Sequence, residues 1–246
     1  MATTQGNHDV QVEARPHPLA IDPRQTAVIV VDMQNDFGAE GGMFARAGSD
    51  LSGIRAAVGP TARVLAAARQ AGMPVVYLKM GFAADLSDAG GPEAPNRVRH
   101  LVAWGGGQPV IAPDGSESRV LIRDTWNTDI LPELAPEPGD RIVYKHRFSG
   151  FFETELDAIL REMGITSLVF TGCTTSVCVE STLRDAFFRD YRCLLLADCT
   201  AEPVDHGLPR SNHEGTLLLV ELAFGWVSDS EALVQALAEQ SVAAAV

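Results

Sequence analysis

The chain has 246 residues, 46% of them hydrophobic, and its formal net charge at pH 7 is −13. A single α/β domain commonly reaches this length, and the composition supports a substantial core. The acidic balance argues against a nucleic-acid partner, because phosphate binding needs a concentrated basic face. No apolar run reaches the roughly 18 residues of a membrane span, so no membrane partner is expected either.

The predicted organisation is a flexible N-terminal arm over residues 1–20 and a single domain over residues 21–246. The segment Met1–Pro18 is polar and lacks the apolar region of a signal peptide. Apolar runs then alternate with helical patterns, which indicates βαβ units and a mostly parallel sheet. The predicted strands are Ala27–Asp32, Pro74–Leu78, Arg141–Lys145, Ser167–Thr171 and Arg192–Ala197. The predicted helices are Gly59–Ala71, Glu153–Met163, Val177–Asp190, Ser211–Phe224 and Ser230–Glu239. The stretch Ala83–Glu117 is rich in Gly, Pro and Asp and is predicted to be a long loop region that helps to cover a site.

Three polar residues stand where strands end. Asp32 closes the first predicted strand, Lys145 closes the third, and Cys178 follows the fourth at the start of a predicted helix. Open parallel sheets bind ligands outside the carboxyl ends of their strands. We therefore expect these residues to converge at one edge of the sheet.

Cys178 is a candidate nucleophile. A cysteine at a helix N-terminus feels the positive end of the helix dipole, which lowers the thiol pKa. The unpaired N–H groups there can hold an oxyanion. The alternative is a small buried apolar residue, the usual state of a free cysteine.

Asp32 and Lys145 complete a reactive set with that thiol. Each has a simpler interpretation, since an aspartate after a strand can cap a turn and a lysine there can be solvated. Together, the carboxylate can act as general base toward the thiol, and the ammonium can hold the carboxylate ionised and favour the thiolate. The expected reaction is acyl transfer to water through a covalent acyl-enzyme.

The remaining cysteines are Cys173, Cys193 and Cys199, and no pair has the CxxC spacing of a structural zinc site. Four cysteines in a chain of this length do not make a disulfide framework, so a reducing, cytoplasmic location is predicted. We expect no metal ion and no cofactor.

These residues and their contexts resemble the isochorismatase-like cysteine hydrolases. The resemblance rests on Val31–Phe37 (VDMQNDF), on Lys145 at its strand end and on Thr171–Val179 (TGCTTSVCV). It implies a three-layer α/β/α fold with a six-stranded, mainly parallel sheet, and Asp32, Lys145 and Cys178 as the catalytic set. It also implies a cis peptide before Thr174, an oxyanion hole from the backbone N–H groups of Thr174 and Cys178, and a homo-oligomer, either dimer or tetramer.

Other segments are similar to the family members that cleave linear ureides. They include Ser149–Phe152 (SGFF), Cys178–Asp185 (CVESTLRD) and Phe224–Asp229 (FGWVSD). The substrate implied is a small ureide or amide, with a ureidoacrylate-type molecule favoured and biuret or triuret as the alternative. Lys79–Phe82 (KMGF) and Ser176 depart from the ureidoacrylate-cleaving pattern and leave the exact substrate open.

Seven residues are weaker candidates for substrate binding, because aromatic walls with a few polar groups suit a flat, amide-rich ligand. They are Asn35, Phe37, Lys79, Trp126, Asn127, Phe148 and Phe151. The alternative for the aromatic members is a place in the core or in a subunit interface.

Two other classes of function stay open at this stage. A catalytically silent binding protein could use the same fold, since fold does not fix function. A metal-dependent hydrolase has thin support, because Phe82–Gly91 contains none of the histidines that the metal-binding relatives carry there.

Overall fold

The structure of the protein, a computed structural model, describes residues 9–203 and 211–243. The strands in these residues are β1 (Val10–Val12), β2 (Leu19–Ile21), β3 (Thr26–Val31), β4 (Val75–Met80), β5 (Pro109–Ile111), β6 (Glu117–Arg119), β7 (Arg141–Lys145), β8 (Ser167–Cys173), β9 (Arg192–Ala201) and β10 (Trp226–Ser228). The α-helices are α1 (Asn35–Gly38), α2 (Met43–Arg46), α3 (Ser52–Gln70), α4 (Pro95–Arg97), α5 (Leu156–Glu162), α6 (Glu180–Phe187), α7 (Asn212–Leu219) and α8 (Ser230–Ala243). Wider π-helical turns follow α4 (Val98–Ala103), precede α6 (Thr175–Val179) and follow α7 (Val220–Phe224).

Six strands form the central sheet in the order β10-β9-β8-β3-β4-β7, and every neighbouring pair is parallel. This confirms the predicted six-stranded α/β fold. The strands of an all-parallel sheet are covered on both faces, which explains why β3 and β4 are buried along their whole length.

Strand β3 shows how the two faces are filled. Val28 and Val30 join the apolar cluster that contains α3 and α8, whereas Ala27, Ile29 and Val31 join the cluster that contains α5 and α6. Successive side chains of a strand point to opposite faces, so one run of small and β-branched residues supplies both cores. The helices on the two faces complete the three predicted layers.

Several element boundaries differ from the sequence prediction. The sixth strand, β10, was not among the predicted strands because it has only three residues, and it pairs with Leu194–Leu196 of β9. Helix α3 begins at Ser52 instead of Gly59 and runs through Pro60. Its buried residues recur with helical spacing from Ile54 to Ala68, so packing on the sheet holds the helix together despite the proline.

The predicted flexible arm is wrong for the described part of residues 1–20. Strands β1 and β2 pair antiparallel, with Val10 opposite Ile21. Their apolar side chains are buried and β1 packs against α8. Arg15 also exchanges two backbone hydrogen bonds with Val227, at 2.8 and 3.0 Å. Burial of these valine and isoleucine side chains outweighs the polar character of the segment.

The stretch Ala83–Glu117 contains α4, its π-helical turn and β5, so it is more ordered than a plain loop. Strand β5 pairs antiparallel with β6. No helix of the described residues is long and apolar enough to cross a membrane.

Candidate active site

Asp32, Lys145 and Cys178 meet at the carboxyl edge of the central sheet. Asp32 directly follows β3, Lys145 is the last residue of β7, and Cys178 lies in the π-helical turn after β8. Lys145 Nζ is 2.7 Å from Asp32 Oδ2, and both side chains are buried. Asp32 and Lys145 both act on the Cys178 thiol and shift its pKa. The structure therefore brings together the three residues that the sequence analysis singled out.

The backbone at the end of β3 turns sharply, and β8 approaches it closely, so that the three side chains lie together. Asp32 has a φ of +52°, in the left-handed region that aspartate tolerates better than most residues. Its N–H still bonds to the carbonyl of Leu78 at 2.9 Å, so the turn begins directly at the sheet edge. On the neighbouring strand, Gly172 has a φ of +110°, and a Cβ there would lie 2.0 Å from the carbonyl oxygen of Val31. Only glycine permits this close approach of β8 to β3.

Lys145 is a permanent cation in this site. Burial alone would lower its pKa, but Asp32 and Cys178 beside it hold the pKa of Lys145 above its ordinary value. Its Nζ also donates to the carbonyl of Arg147 at 3.2 Å. Burial raises the pKa of Asp32 above its usual range, and the Lys145 ammonium opposes that rise. A paired carboxylate with a raised pKa is a better proton acceptor than an exposed one.

The expectation of a lowered thiol pKa at Cys178 is wrong. Burial raises the pKa of Cys178 to about 12, Lys145 opposes the rise, and Asp32 adds to it. Helix α6 begins only at Glu180, so the thiol lies in the π-helical turn and not at the first residue of a regular helix. The thiol is thus protonated in the unliganded protein at neutral pH, and its proton must leave as part of the reaction.

The segment before Cys178 carries the cis peptide that the family resemblance implied, between Cys173 and Thr174. The carbonyl of Thr174 accepts hydrogen bonds from the N–H groups of Val177 and Val179, at 3.1 and 3.2 Å, on either side of Cys178. Both Thr174 and Cys178 line the cavity described below. Their N–H groups as an oxyanion hole stay a prediction.

A cavity of about 510 Å³ opens onto this centre. Its polar lining includes Asp32, Thr174 and Cys178, and its aromatic lining includes Phe44 and Trp104. A mostly apolar cavity with a few convergent polar groups is typical of a small-molecule site. In the described residues, no group of three or more His, Cys, Asp or Glu side chains could hold a metal ion.

Two of the seven predicted substrate-binding residues, Phe37 and Phe148, line the cavity. Asn35, Lys79 and Trp126 do not. Asn35 Nδ2 donates to the carbonyl of Trp126 at 2.7 Å, so these two residues hold loops together. Lys79 belongs to β4 and lies over the ring of Tyr144, with Nζ 4.8 Å from the ring centre.

Asn127 and Phe151 were also predicted to bind substrate, and neither lines the cavity. Asn127 is fully buried, where it accepts from the hydroxyl of Ser118 at 2.5 Å and donates to Asp36 at 2.5 Å. Phe151 is buried in the apolar cluster against α5 and α6. Both residues therefore serve the interior of the protein.

Several cavity residues escaped the sequence analysis as binding candidates, among them Arg46, His100, Trp104 and Gln108. Arg46 ends the four-residue helix α2, and the other three belong to the stretch Ala83–Glu117. These segments carry no helical or strand periodicity that could assign a side chain to one face. The Gly- and Pro-rich composition of the stretch was the one available signal, and it predicted a cover without naming residues.

Comparison with known proteins agrees with this architecture. The model of the isochorismatase domain matches residues 26–232. The ureidoacrylate amidohydrolase RutB of Methylobacterium radiotolerans is 42% identical over 242 residues, which cover 98% of this chain and 91% of that protein. The protein of the same name from Methylorubrum extorquens is 42% identical over 233 residues, covering 94% and 91% of the two chains.

Solved structures show the same fold. A cysteine hydrolase from Pseudomonas syringae pv. phaseolicola superposes with a TM-score of 0.73 at 28% identity, over 89% of this chain and 95% of that one. An N-carbamoylsarcosine amidase from Thermoplasma acidophilum superposes with a TM-score of 0.61 at 28% identity, over 84% and 97%.

Proposed function

The chain belongs to the isochorismatase family, and from that premise we propose that it is an amidohydrolase that cleaves a C–N bond of a small linear ureide. Cys178 is the nucleophile and Asp32 is the general base. Lys145 is the cation that pairs with Asp32 and favours the thiolate of Cys178. The observation that carries the proposal is the buried 2.7 Å ion pair between Lys145 and Asp32, beside a thiol that lines the cavity.

The reaction begins with proton transfer from the Cys178 thiol to the Asp32 carboxylate as the sulfur attacks the ureide carbonyl carbon. This coupling overcomes the high thiol pKa, because the proton leaves only when a carbonyl carbon is in place to bond with the sulfur. The carbonyl oxygen becomes an oxyanion, for which the N–H groups of Thr174 and Cys178 are the proposed donors.

Collapse of this intermediate breaks the C–N bond, and the proton held by Asp32 passes to the departing nitrogen. A carbamoyl group remains bonded to the sulfur of Cys178 as a thiocarbamate. Water then attacks the thiocarbamate carbonyl while Asp32 takes a proton from the water, and that proton returns to the sulfur when the second product leaves. Throughout, Lys145 compensates the negative charge on whichever partner holds it.

We further propose a ureidoacrylate-type substrate, which ends in a carboxylate. Its support is the likeness to proteins named ureidoacrylate amidohydrolase and the presence of Arg46 in the cavity lining. Within residues 9–203 and 211–243, the guanidinium group of Arg46 makes no ion pair with an acidic residue. A guanidinium group is well suited to bind a carboxylate. Biuret and triuret are uncharged and would not use this cation.

The test is ammonia release from ureidoacrylate or a stable analogue, biuret, triuret, N-carbamoyl amino acids and nicotinamide, with the Cys178→Ser variant as the blank. High kcat/KM for a carboxylate-bearing ureide, lost in the blank, supports the proposal. An Arg46→Met variant should then lose at least about 10-fold in kcat/KM on that substrate and little on a neutral one. A preference for biuret or triuret would overturn the proposal of a ureidoacrylate-type substrate. No ammonia release from any ureide would favour a catalytically silent binding protein.

We also propose that the protein is a homo-oligomer, a dimer or a tetramer, in a reducing cytoplasm. Large apolar side chains are exposed on its surface, among them Phe188 at 69% and Leu222 at 78%. Exposed apolar groups in one region are typical of protein interfaces. The four cysteines are free, in keeping with a reducing compartment. For the proposed oligomer, light scattering on the purified protein would give the number of subunits.

A further inference from the structure

His100 is a buried side chain of the cavity wall that the mechanism above does not use. It lies in the π-helical turn after α4, its exposure is 1%, and it lines the cavity. Asp32 and Cys178 line the same cavity, so the ring and the reacting groups face one binding space.

The hydrogen bonds of His100 fix its tautomer. Nδ1 is 2.9 Å from the carbonyl oxygen of Asn96, and a carbonyl can only accept, so Nδ1 carries the proton. Burial, together with the charge of Lys145, lowers the pKa of His100 to about 4, so the ring is neutral near pH 7. Nε2 therefore presents a lone pair, and this nitrogen has no hydrogen bond to any residue that the structure describes.

The ring is also held in place before any ligand arrives. Its centre is 5.5 Å from that of Phe82, 5.1 Å from that of Trp104 and 5.1 Å from that of Phe148. The backbone under it is anchored, because Asn96 Nδ2 donates to the carbonyls of Ala89 and His146, both at 3.2 Å. A fixed acceptor in an apolar wall loses little entropy on binding a ligand, and it costs free energy when a ligand leaves it unpaired.

We propose that Nε2 of His100 accepts a hydrogen bond from an N–H of the ureido group and so selects ureides over isosteric amides. This inference rests on the proposed function, since it assigns a recognition role within the same cavity. Ureides differ from simple amides in having N–H groups on both sides of the carbonyl. The lone pair also disfavours a carboxylate beside it, which directs the charged end of the substrate away from His100 and toward Arg46.

The test measures binding by calorimetry in the Cys178→Ala variant, which cannot turn the ligand over. The probes are 3-ureidopropanoate and two isosteric analogues. N-acetyl-β-alanine has a methyl group in place of the terminal NH2, and glutaramate has a methylene group in place of the internal N–H. We expect 3-ureidopropanoate to bind ~10- to 100-fold more tightly than at least one analogue, because that analogue leaves Nε2 unpaired.

Two variants locate this selectivity. His100→Phe keeps an aromatic ring without the acceptor, and the affinity ratio should fall to within about threefold of unity. His100→Gln offers a carbonyl acceptor and should keep most of the ratio, while His17→Phe, on the surface, should leave it unchanged. Thermal unfolding of each variant verifies its fold. In ¹⁵N NMR with ring-labelled histidine, the Nε2 resonance of His100 should shift when 3-ureidopropanoate binds, a response that a purely structural histidine would not give.

An unchanged ratio in folded His100→Phe, equal affinity for all three probes, or no binding of 3-ureidopropanoate at millimolar concentration would each overturn the inference. The two proposals fail separately. A wild-type protein that hydrolyses ureides without a His100-dependent ratio contradicts only the role of His100. Binding with the expected ratio and NMR shift, but without hydrolysis by the wild type, contradicts only the amidohydrolase activity.

Discussion

Asp32 and Asp36 belong to one short segment and are both buried, yet their surroundings differ in kind. Asp32 meets two ionisable partners, the Lys145 ammonium and the Cys178 thiol. Within the described residues, Asp36 accepts hydrogen bonds only from groups that do not titrate: the N–H groups of Met43 and Leu121, at 3.0 and 2.7 Å, and the amide of Asn127. The charge of Arg46 also acts on Asp36 and opposes the rise that burial causes in its pKa.

The difference shows how one sequence motif can contain both a reactive and a structural carboxylate. A carboxylate that shares its site with a thiol and a permanent cation can pass a proton. One enclosed by N–H donors instead ties chain segments together, here α1, α2 and the turn at Leu121. Burial is the same for both, so burial by itself does not identify a catalytic residue.

The largest expected difference between the two carboxylates is in catalysis, and it is tested by neutralising each carboxylate in turn. Asp32→Asn removes the proton acceptor and should lower kcat by roughly 10²- to 10⁴-fold on the best ureide. Asp36→Asn should change kcat by less than about threefold, because it touches no reacting atom. Steady-state kinetics on protein whose fold is verified by circular dichroism makes the measurement. Comparable losses in the two variants would contradict the division of roles.

The second prediction concerns the thiol itself. Because burial raises the pKa of Cys178 to about 12, its thiolate fraction should increase about tenfold per pH unit from pH 7 to 9. The rate of alkylation by iodoacetamide, measured by mass spectrometry at Cys178, should follow that increase without a plateau.

Substitution of the two carboxylates should have different effects on the alkylation rate. Asp32 contributes to the high pKa of the thiol, so Asp32→Asn should speed alkylation at a given pH even though it lowers kcat. Asp36→Asn should leave the alkylation rate unchanged. A plateau below pH 8 in the wild type would show that the thiol is already ionised and that Asp32 does not need to take its proton.

The third prediction concerns stability. Asp36→Ala leaves the N–H groups of Met43 and Leu121 and the amide of Asn127 without their acceptor, all in the interior. The free energy of unfolding should fall by about 1–3 kcal/mol. Urea denaturation followed by fluorescence gives this value. A loss below about 0.5 kcal/mol would mean that water or a neighbour replaces the carboxylate.

The smallest expected effect is a pH dependence. Burial raises the pKa of Asp36 from 3.8 to about 6, so between these values the folded protein keeps a proton that the unfolded chain has released. The contribution of Asp36 to stability therefore falls as pH rises through this window. The wild type should lose stability relative to Asp36→Asn between pH 4 and pH 6 in paired urea titrations, and parallel curves would contradict the assignment.

The sequence predicted the parts of this molecule that depend on regular periodicity. Short apolar runs predicted β3 and β8, and the rule that parallel strands end at one edge predicted that Asp32, Lys145 and Cys178 would meet. The structure places them together, while their catalytic roles stay a prediction for the experiments above.

The sequence could not predict the parts that depend on contacts between irregular segments. Asn127 follows aromatic Trp126 in a loop, which suggested a ligand contact, but its partners Ser118 and Asp36 become visible only when the loops are folded. His100 lies in a π-helical turn, whose side-chain directions follow neither helix nor strand spacing. The thiol pKa of Cys178 depends on how far the surrounding chain removes water, and helix position alone gave the wrong direction.

The strand order has a consequence for refolding. Asp32, Lys145 and Cys178 are distant in sequence, and β7 reaches β3 only across β4, while β8 joins β3 from the other side. Each parallel neighbour requires a crossover connection, so these contacts have high contact order and form slowly. A lysine buried without its carboxylate would destabilise any intermediate that closed early. Recovery of enzymatic activity after dilution from denaturant should therefore lag behind recovery of the helical circular dichroism signal.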